Sequence, residues 1–177
     1  MNALILDTET SGLVFNHVIT LAKQPEIIDL YMAEVDLAEG YLVADYEYLF
    51  KPDTWSEEAE HVHHITQDMV KDAPKFSQCA DDIQTILERS DCVIAHNASF
   101  DCEMLDLEFE RLGMKVEWPR IICTVEQTMH LKGYRLSLQD LHELLFGEKF
   151  KEAHRAKTDT QALIRCCVEL HRQGVLL

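Results

Sequence analysis

Four carboxylates fall where the apolar pattern of this chain points inward. Asp7 and Glu9 end the first strand-like run, which begins NALILD at Asn2, and their i, i+2 spacing puts both side chains on one face. Asp101 lies on the stripe Asp101, Met104, Leu105, Phe109, Leu112, and Asp159 on Asp159, Ala162, Leu163, Cys166, Leu170. Both stand at helix starts, where the dipole favours an anion. An isolated buried charge costs many kcal/mol, and no basic residue lies on the same stripes. Hard divalent cations are the natural counter-charge, since Mg²⁺ takes oxygen ligands and keeps several waters. Four single charges balance two such ions. Two ions roughly 4 Å apart form the clamp of phosphodiester hydrolysis, one on the attacking oxygen and one on the leaving oxygen. Taken singly, Asp101 or Asp159 reads more readily as an N-cap or half-exposed helix start; the four together carry the metal reading.

The elements that must position these acids follow from hydrophobic periodicity. The pattern predicts strands at Asn2–Asp7, Ile27–Val35, Tyr41–Phe50, Cys92–Ala95 and Arg120–Cys123. It predicts helices through Ala80, Ile83, Ile86 and Leu87, from about Phe100 to Leu112, and from Thr124, Ser137 and about Ala156, with Ser137 as an N-cap. Pro52, Pro74 and the polar stretch between them mark a loop with one short helix after Thr66. Three strands in succession, then helix and strand in alternation, imply an α/β fold with a mixed sheet flanked by helices, as one domain over 1–177.

Composition narrows the class. The 177 residues hold 16 Lys+Arg against 32 Asp+Glu, a net charge of −16, which excludes a basic DNA-coating protein. The 47% hydrophobic share is that of a globular chain, not a disordered acidic one. Six cysteines form no CxxC pair and follow no signal peptide, so free thiols in a reducing, cytoplasmic setting are expected. No apolar run approaches the roughly 18 residues of a membrane span. His61, His63 and His64 lack a partner pair at zinc-finger spacing.

Three motifs then carry a resemblance. Asp7-Thr8-Glu9-Thr10-Ser11-Gly12-Leu13, His96-Asn97-Ala98-Ser99-Phe100-Asp101 and His154-Arg155-Ala156-Lys157-Thr158-Asp159 resemble, in order, the three motifs of the DnaQ-like, or DEDDh, 3′–5′ exonucleases. The resemblance implies an RNase H-like five-stranded sheet, three antiparallel strands then two parallel, in which Asp7, Glu9, Asp101 and Asp159 hold two Mg²⁺ or Mn²⁺ ions. It makes His154 the general base that deprotonates the attacking water, a role suited to a side chain whose ordinary pKa is ~6.5. It also assigns Thr8, Thr10, Gly12, Leu13, Ile65, His96, Asn97 and Phe100 to the substrate side, with Leu13 as an apolar wedge and Ile65 against the terminal base. Phe100 serves equally well in core packing.

The implied reaction is release of nucleoside 5′-monophosphates from the 3′ end of nucleic acid. Single-stranded DNA is favoured, for proofreading or repair, and short RNA is the alternative. A non-catalytic acidic interaction module of the same fold is a further one, and the chain is also compatible with a polymerase partner. The chain departs from the family pattern at His64, where relatives carry a small residue, in a longer 14–25 connection, and in its acidity. Six basic and four acidic residues between Met129 and Lys157 make the surroundings of His154 the positive part of the chain. A solvated face would read the same way.

Overall fold

The N-terminal apolar run forms β1 (Asn2–Thr10), at the centre of a five-stranded sheet. Its alternation feeds two cores: Leu4 and Leu6 enter one apolar layer, Ala3 and Ile5 the other. β2 (Ile27–Asp36) pairs antiparallel with β1, and β3 (Tyr41–Leu49) antiparallel with β2. β4 (Cys92–Ala95) and β5 (Arg120–Cys123) add parallel strands on the other side, giving the order β3-β2-β1-β4-β5. This is the RNase H-like sheet. The structure is a computed structural model that describes residues 2–15, 20–151 and 153–176.

Helices cover both faces. On one side α3 (Ala80–Glu88) and α4 (Ala98–Arg111) pack over Leu4, Leu6, Leu30 and Met32 through Ile83, Leu87, Met104, Leu105 and Phe109. On the other, α6 (Leu138–Phe146) and α7 (Ala156–Arg172) bury Leu141, Leu163, Cys166, Cys167 and Leu170 against Ala3, Ile5, Tyr31 and Ala33. α5 (Thr124–Lys132) follows β5 directly. The cysteines are free thiols, and those of α7 are packing residues. No helix among the described residues is long and apolar enough to cross a membrane.

Two features differ from the sequence expectation. β1 runs on to Thr10, because the β2 ladder continues through Glu9↔Asp29. The stretch expected as loop after Pro52 folds into α1 (Glu57–His63), and the short helix after Thr66 is α2 (Gln67–Val70). The physical cause of α1 is local. Ser56 Oγ accepts from Ala59 N (3.3 Å), three glutamates fill the first turn, and His64 closes the helix in the left-handed conformation at φ 59°.

The 14–25 connection contains residues 16–19, which lie outside the described residues. Its flanks are fastened: Gln24 bonds both backbone groups of Phe15 (3.0 and 3.1 Å). Arg111 of α4 donates to the Gln24 and Pro25 carbonyls (2.9 and 2.7 Å) and pairs with Glu108.

Candidate active site

The acids meet where β1 leaves the core. Asp7 and Glu9 share the α7 face of β1, and Asp29 of β2 lies on that face too, directly opposite Glu9. α7 enters the same space end-on, with Asp159 buried in its first turn. Oxygens of Glu9 and Asp159 and a ring nitrogen of His154 all lie within 4.8 Å of one another. His154 is exposed, holds φ at 70°, and donates its backbone N–H to Asp159 Oδ2 (2.7 Å). A non-glycine residue in that region is strained by one or two kcal/mol, so the surroundings enforce it. Residue 152, in the connection leading to His154, lies outside the described residues.

Asp101 arrives from the opposite layer. It is buried in the first turn of α4 and accepts both the backbone N–H of Thr8 (3.0 Å) and the Thr8 hydroxyl (2.7 Å). Its acidity responds to burial first, which lifts the pKa to about 7 against the opposing pull of the Thr8 bonds. Burial also raises Asp7 well above the usual carboxylate range, and the charges of Asp101, Glu9 and Asp159 push it further. Glu9 is lifted to about 8, first by burial and then by Asp159 and Asp29. Asp159 is raised by burial. A group of carboxylates that raise one another's proton affinity in this way is one that lacks its counter-charge.

Among the described residues, Arg155 is the cation that reaches the cluster, its Nε 3.3 Å from Asp29 Oδ2. Asp29, like the others, is raised by burial, with Arg155 opposing. Sequence reading missed Asp29. The signal was there, a lone acid interrupting the apolar strand IIDLYM.

Beside the acids opens a cleft of about 350 Å³, mostly apolar, lined by Glu9, Thr10, Leu13, Val62, His63 and Phe100 among others. Leu13 is 76% exposed at its rim. Of the residues expected on the substrate side, Thr8, Thr10, Gly12, Leu13 and Phe100 line the cleft. Thr8 spends its hydroxyl on Asp101, and Thr10 donates to the Gly12 carbonyl (2.7 Å). The other three, Ile65, His96 and Asn97, do not line it. Ile65 is fully buried with Ile28 and Val70, and the cleft wall of that segment is Val62 and His63 instead. His96 commits both ring nitrogens, to the Thr124 hydroxyl (2.9 Å) and the Leu136 carbonyl (3.1 Å), so it braces the β4–α4 turn. Asn97 opens α4 at φ 71° and accepts from Arg135 (2.7 Å). His63 is buried, with Nδ1 accepting from Ile65 N (3.0 Å), and burial lowers its pKa. The sequence assigns it no role beyond membership of the His61, His63, His64 group, which lacks zinc-finger spacing; His61 and His64 are exposed.

Sheet order and the convergence of acids from β1, α4 and α7 are those of the DnaQ-like class of 3′–5′ exonuclease domains, within the RNase H-like fold. Residues 4–167 match the RNase_T family, described as Exonuclease, and the chain belongs to that family. Among curated relatives, it is 29% identical over 155 residues to the DNA polymerase III subunit epsilon of Buchnera aphidicola subsp. Schizaphis graminum, covering 86% of this chain and 65% of the relative. It is 28% identical over 174 residues to the DNA polymerase III PolC-type of Staphylococcus haemolyticus, covering 96% of this chain but only 11% of that protein. The chain therefore spans under two thirds of both.

Solved structures share the fold. Exonuclease X in complex with 5′ overhanging duplex DNA matches with TM-score 0.69 and 24% identity, covering 97% of this chain and 93% of that one. The nuclease domain of 3′hExo, a DEDDh family member bound to rAMP, matches with TM-score 0.80 and 15% identity, covering 99% and 94%.

Proposed function

We propose that this chain is a divalent-metal-dependent 3′–5′ exonuclease that releases nucleoside 5′-monophosphates from single-stranded ends, DNA in preference to RNA. One observation carries the reading: carboxylates from three separate elements converge, with His154, beside an open apolar cleft. The donor set fits hard divalent cations, since oxygen ligands dominate it and the carboxylates raise one another's pKa in their absence. Asp7, Glu9, Asp101 and Asp159 would hold two such ions, Mg²⁺ or Mn²⁺. When bound, the ions neutralise charge on the phosphate and orient water for in-line attack.

The protein's own groups supply the rest. His154, exposed at the mouth of the cluster, takes the proton of the attacking water at a ring nitrogen. The Asp159 carboxylate holds the His154 backbone and so aims the imidazole. Thr8 fixes the carboxylate plane of Asp101 through two hydrogen bonds. Leu13 and Phe100 form apolar walls against which the terminal base and sugar are held, with the Gly12 turn and Thr10 beside them.

The DNA preference is supported by the two polymerase III relatives, one named as a subunit, and these also support action beside a polymerase, as in proofreading. The test is a time course on 5′- and 3′-end-labelled single-stranded DNA and matching RNA with Mg²⁺, Mn²⁺ or EDTA. A metal-dependent ladder shortening from the 3′ end, faster on DNA, is expected. Faster loss of RNA would transfer the reading to an exoribonuclease, and no cleavage of either with metal present would overturn it in favour of a binding module.

A further inference from the structure

The acidity of this chain makes its unpaired cations informative. Most basic side chains are spent on acids: Lys71 on Asp68, Lys75 on Asp53, Arg89 on Glu34, Lys115 on Glu117, Lys149 on Asp140, Lys157 on Glu47 and Arg165 on Glu148, among others. Lys132 and Arg135, like Lys23, Lys51, Arg120 and Lys151, have no acidic partner among the described residues, and these two are exposed at the last residue of α5 and in the connection that joins it to α6. Between them stands Tyr134, 58% exposed and, among the described residues, with no ring stacked on it. Gly133 ends α5 at φ 78° and projects this Lys-Gly-Tyr-Arg segment outward.

The loop is fastened to the acid cluster's side of the molecule. Arg135 Nη2 donates to Asn97 Oδ1 (2.7 Å), and the Leu136 carbonyl bonds His96 (3.1 Å). His96 and Asn97 are the turn that starts α4, whose first turn carries Phe100 of the cleft and Asp101 of the cluster. An exposed aromatic ring between two cations without acidic partners, in a segment bonded to the turn that begins α4, has the composition of a single-strand platform: bases stack on the ring and phosphates meet the charges.

We propose that the Lys132–Arg135 loop is a second nucleic-acid contact, in which a base upstream of the cleaved 3′ nucleotide stacks on Tyr134 while Lys132 and Arg135 receive the adjoining phosphates. This rests on the exonuclease reading and extends it: the cleft takes the terminal nucleotide, and the loop takes the strand behind it. With a net charge of −16 the chain repels a polyanion overall, so cations without acidic partners beside an exposed ring offer the strand's phosphates a locally favourable contact.

The test compares the unmodified protein with Tyr134→Ala, Tyr134→Phe and Lys132→Ala on two substrates, a fluorescent ten-nucleotide oligothymidylate and a dinucleotide too short to reach the loop. Binding of the ten-mer is read by anisotropy in EDTA, independently of cleavage. Tyr134→Ala is expected to weaken ten-mer binding at least about fivefold, and Tyr134→Phe, which keeps the ring, to bind nearly as the unmodified protein does. Lys132→Ala should reduce the slope of log K against log salt by roughly 0.7, the loss of one phosphate contact on a single strand. With metal, the ratio of kcat/KM on the ten-mer to that on the dinucleotide should fall in Tyr134→Ala by a similar factor. Unchanged binding in Tyr134→Ala overturns the loop contact. Metal-dependent cleavage intact with an unchanged ten-mer to dinucleotide ratio overturns it too while sparing the exonuclease reading. Binding lost in Tyr134→Ala with no cleavage by any form supports the contact and overturns the exonuclease reading.

Discussion

Asp159 is under two opposed demands. In the proposed reaction it presents a negative oxygen beside Glu9 and His154; for folding it adds a charge to a place already crowded with them. Asp159→Asn keeps an oxygen that accepts the His154 N–H and removes only the charge. Turnover is expected to fall by at least about a thousandfold, the scale of several kcal/mol of lost charge stabilisation. In EDTA the same variant should melt higher than the unmodified protein, by about 2–4 °C for each kcal/mol of repulsion relieved. Activity assays and thermal scans on one preparation check both signs; a lower Tm would show that the cluster is not repulsive without metal. The four inward acids were legible because a charge at a buried position of a strand or helix is too costly to stand there without a partner. Asp29 obeys the same logic as a lone acid within the apolar run of β2. Its partner Arg155 was invisible as such, because it reaches the acid from the end of a helix rather than from a shared stripe.

At the scale of elements, local signals decided what could be read. The strands and the long helices follow from periodicity, and the Ser137 cap is present as expected, its hydroxyl oxygen accepting from Asp140 N (3.1 Å). The helix α1 lies in a stretch the sequence predicts as loop, because its seven polar-rich residues carry no apolar stripe; only Ser56 and the acidic first turn mark it. That helix matters, since Ser56, Val62 and His63 wall the cleft. Its two ends predict opposite outcomes. Ser56→Ala removes the cap oxygen and should cost about 1 kcal/mol, lowering Tm by about 2–4 °C. His64→Gly places at φ 59° the residue type that bears no penalty there, and should raise Tm by a similar amount. Thermal unfolding of both variants checks the pair, and a stabilising Ser56→Ala would show that the cap is not formed. Ile65 and His96 show the limit of motif reading: both lie in segments that border the site, but only tertiary packing reveals that one is a core residue and the other a brace.

For the molecule as a whole, the acid cluster couples stability to protons and, under the proposed function, to metal. Without metal, Glu9 has its pKa lifted to about 8 and Asp101 to about 7, and Asp7, Asp29 and Asp159 are raised as well. Between the ordinary carboxylate range near pH ~4 and about pH 8 these carboxyl groups therefore hold more protons in the native state than in the unfolded chain. Burial of His63 and His96 lowers their pKa and acts in the opposite direction below the ordinary histidine value of ~6.5. Stability contributed by the carboxyl groups is complete below the ordinary range and is lost as pH rises through the raised values. In EDTA, Tm should accordingly decline from about pH 6.5, above the histidine range, to pH 8.5, where a protein with depressed carboxylates would gain or hold. Divalent cations act on the native state alone and in the opposite direction, because their ligands must be deprotonated. Mg²⁺ at about one hundred times its Kd adds roughly 2.7 kcal/mol, so at pH 8 it should raise Tm by several degrees and at pH 5 by much less. Melting curves across this grid of pH and Mg²⁺ separate the two effects. A Mg²⁺ shift that is absent at pH 8, or equal at both pH values, would mean that the convergent carboxylates do not hold the ions, and the same acids that define the site would then need another counter-charge.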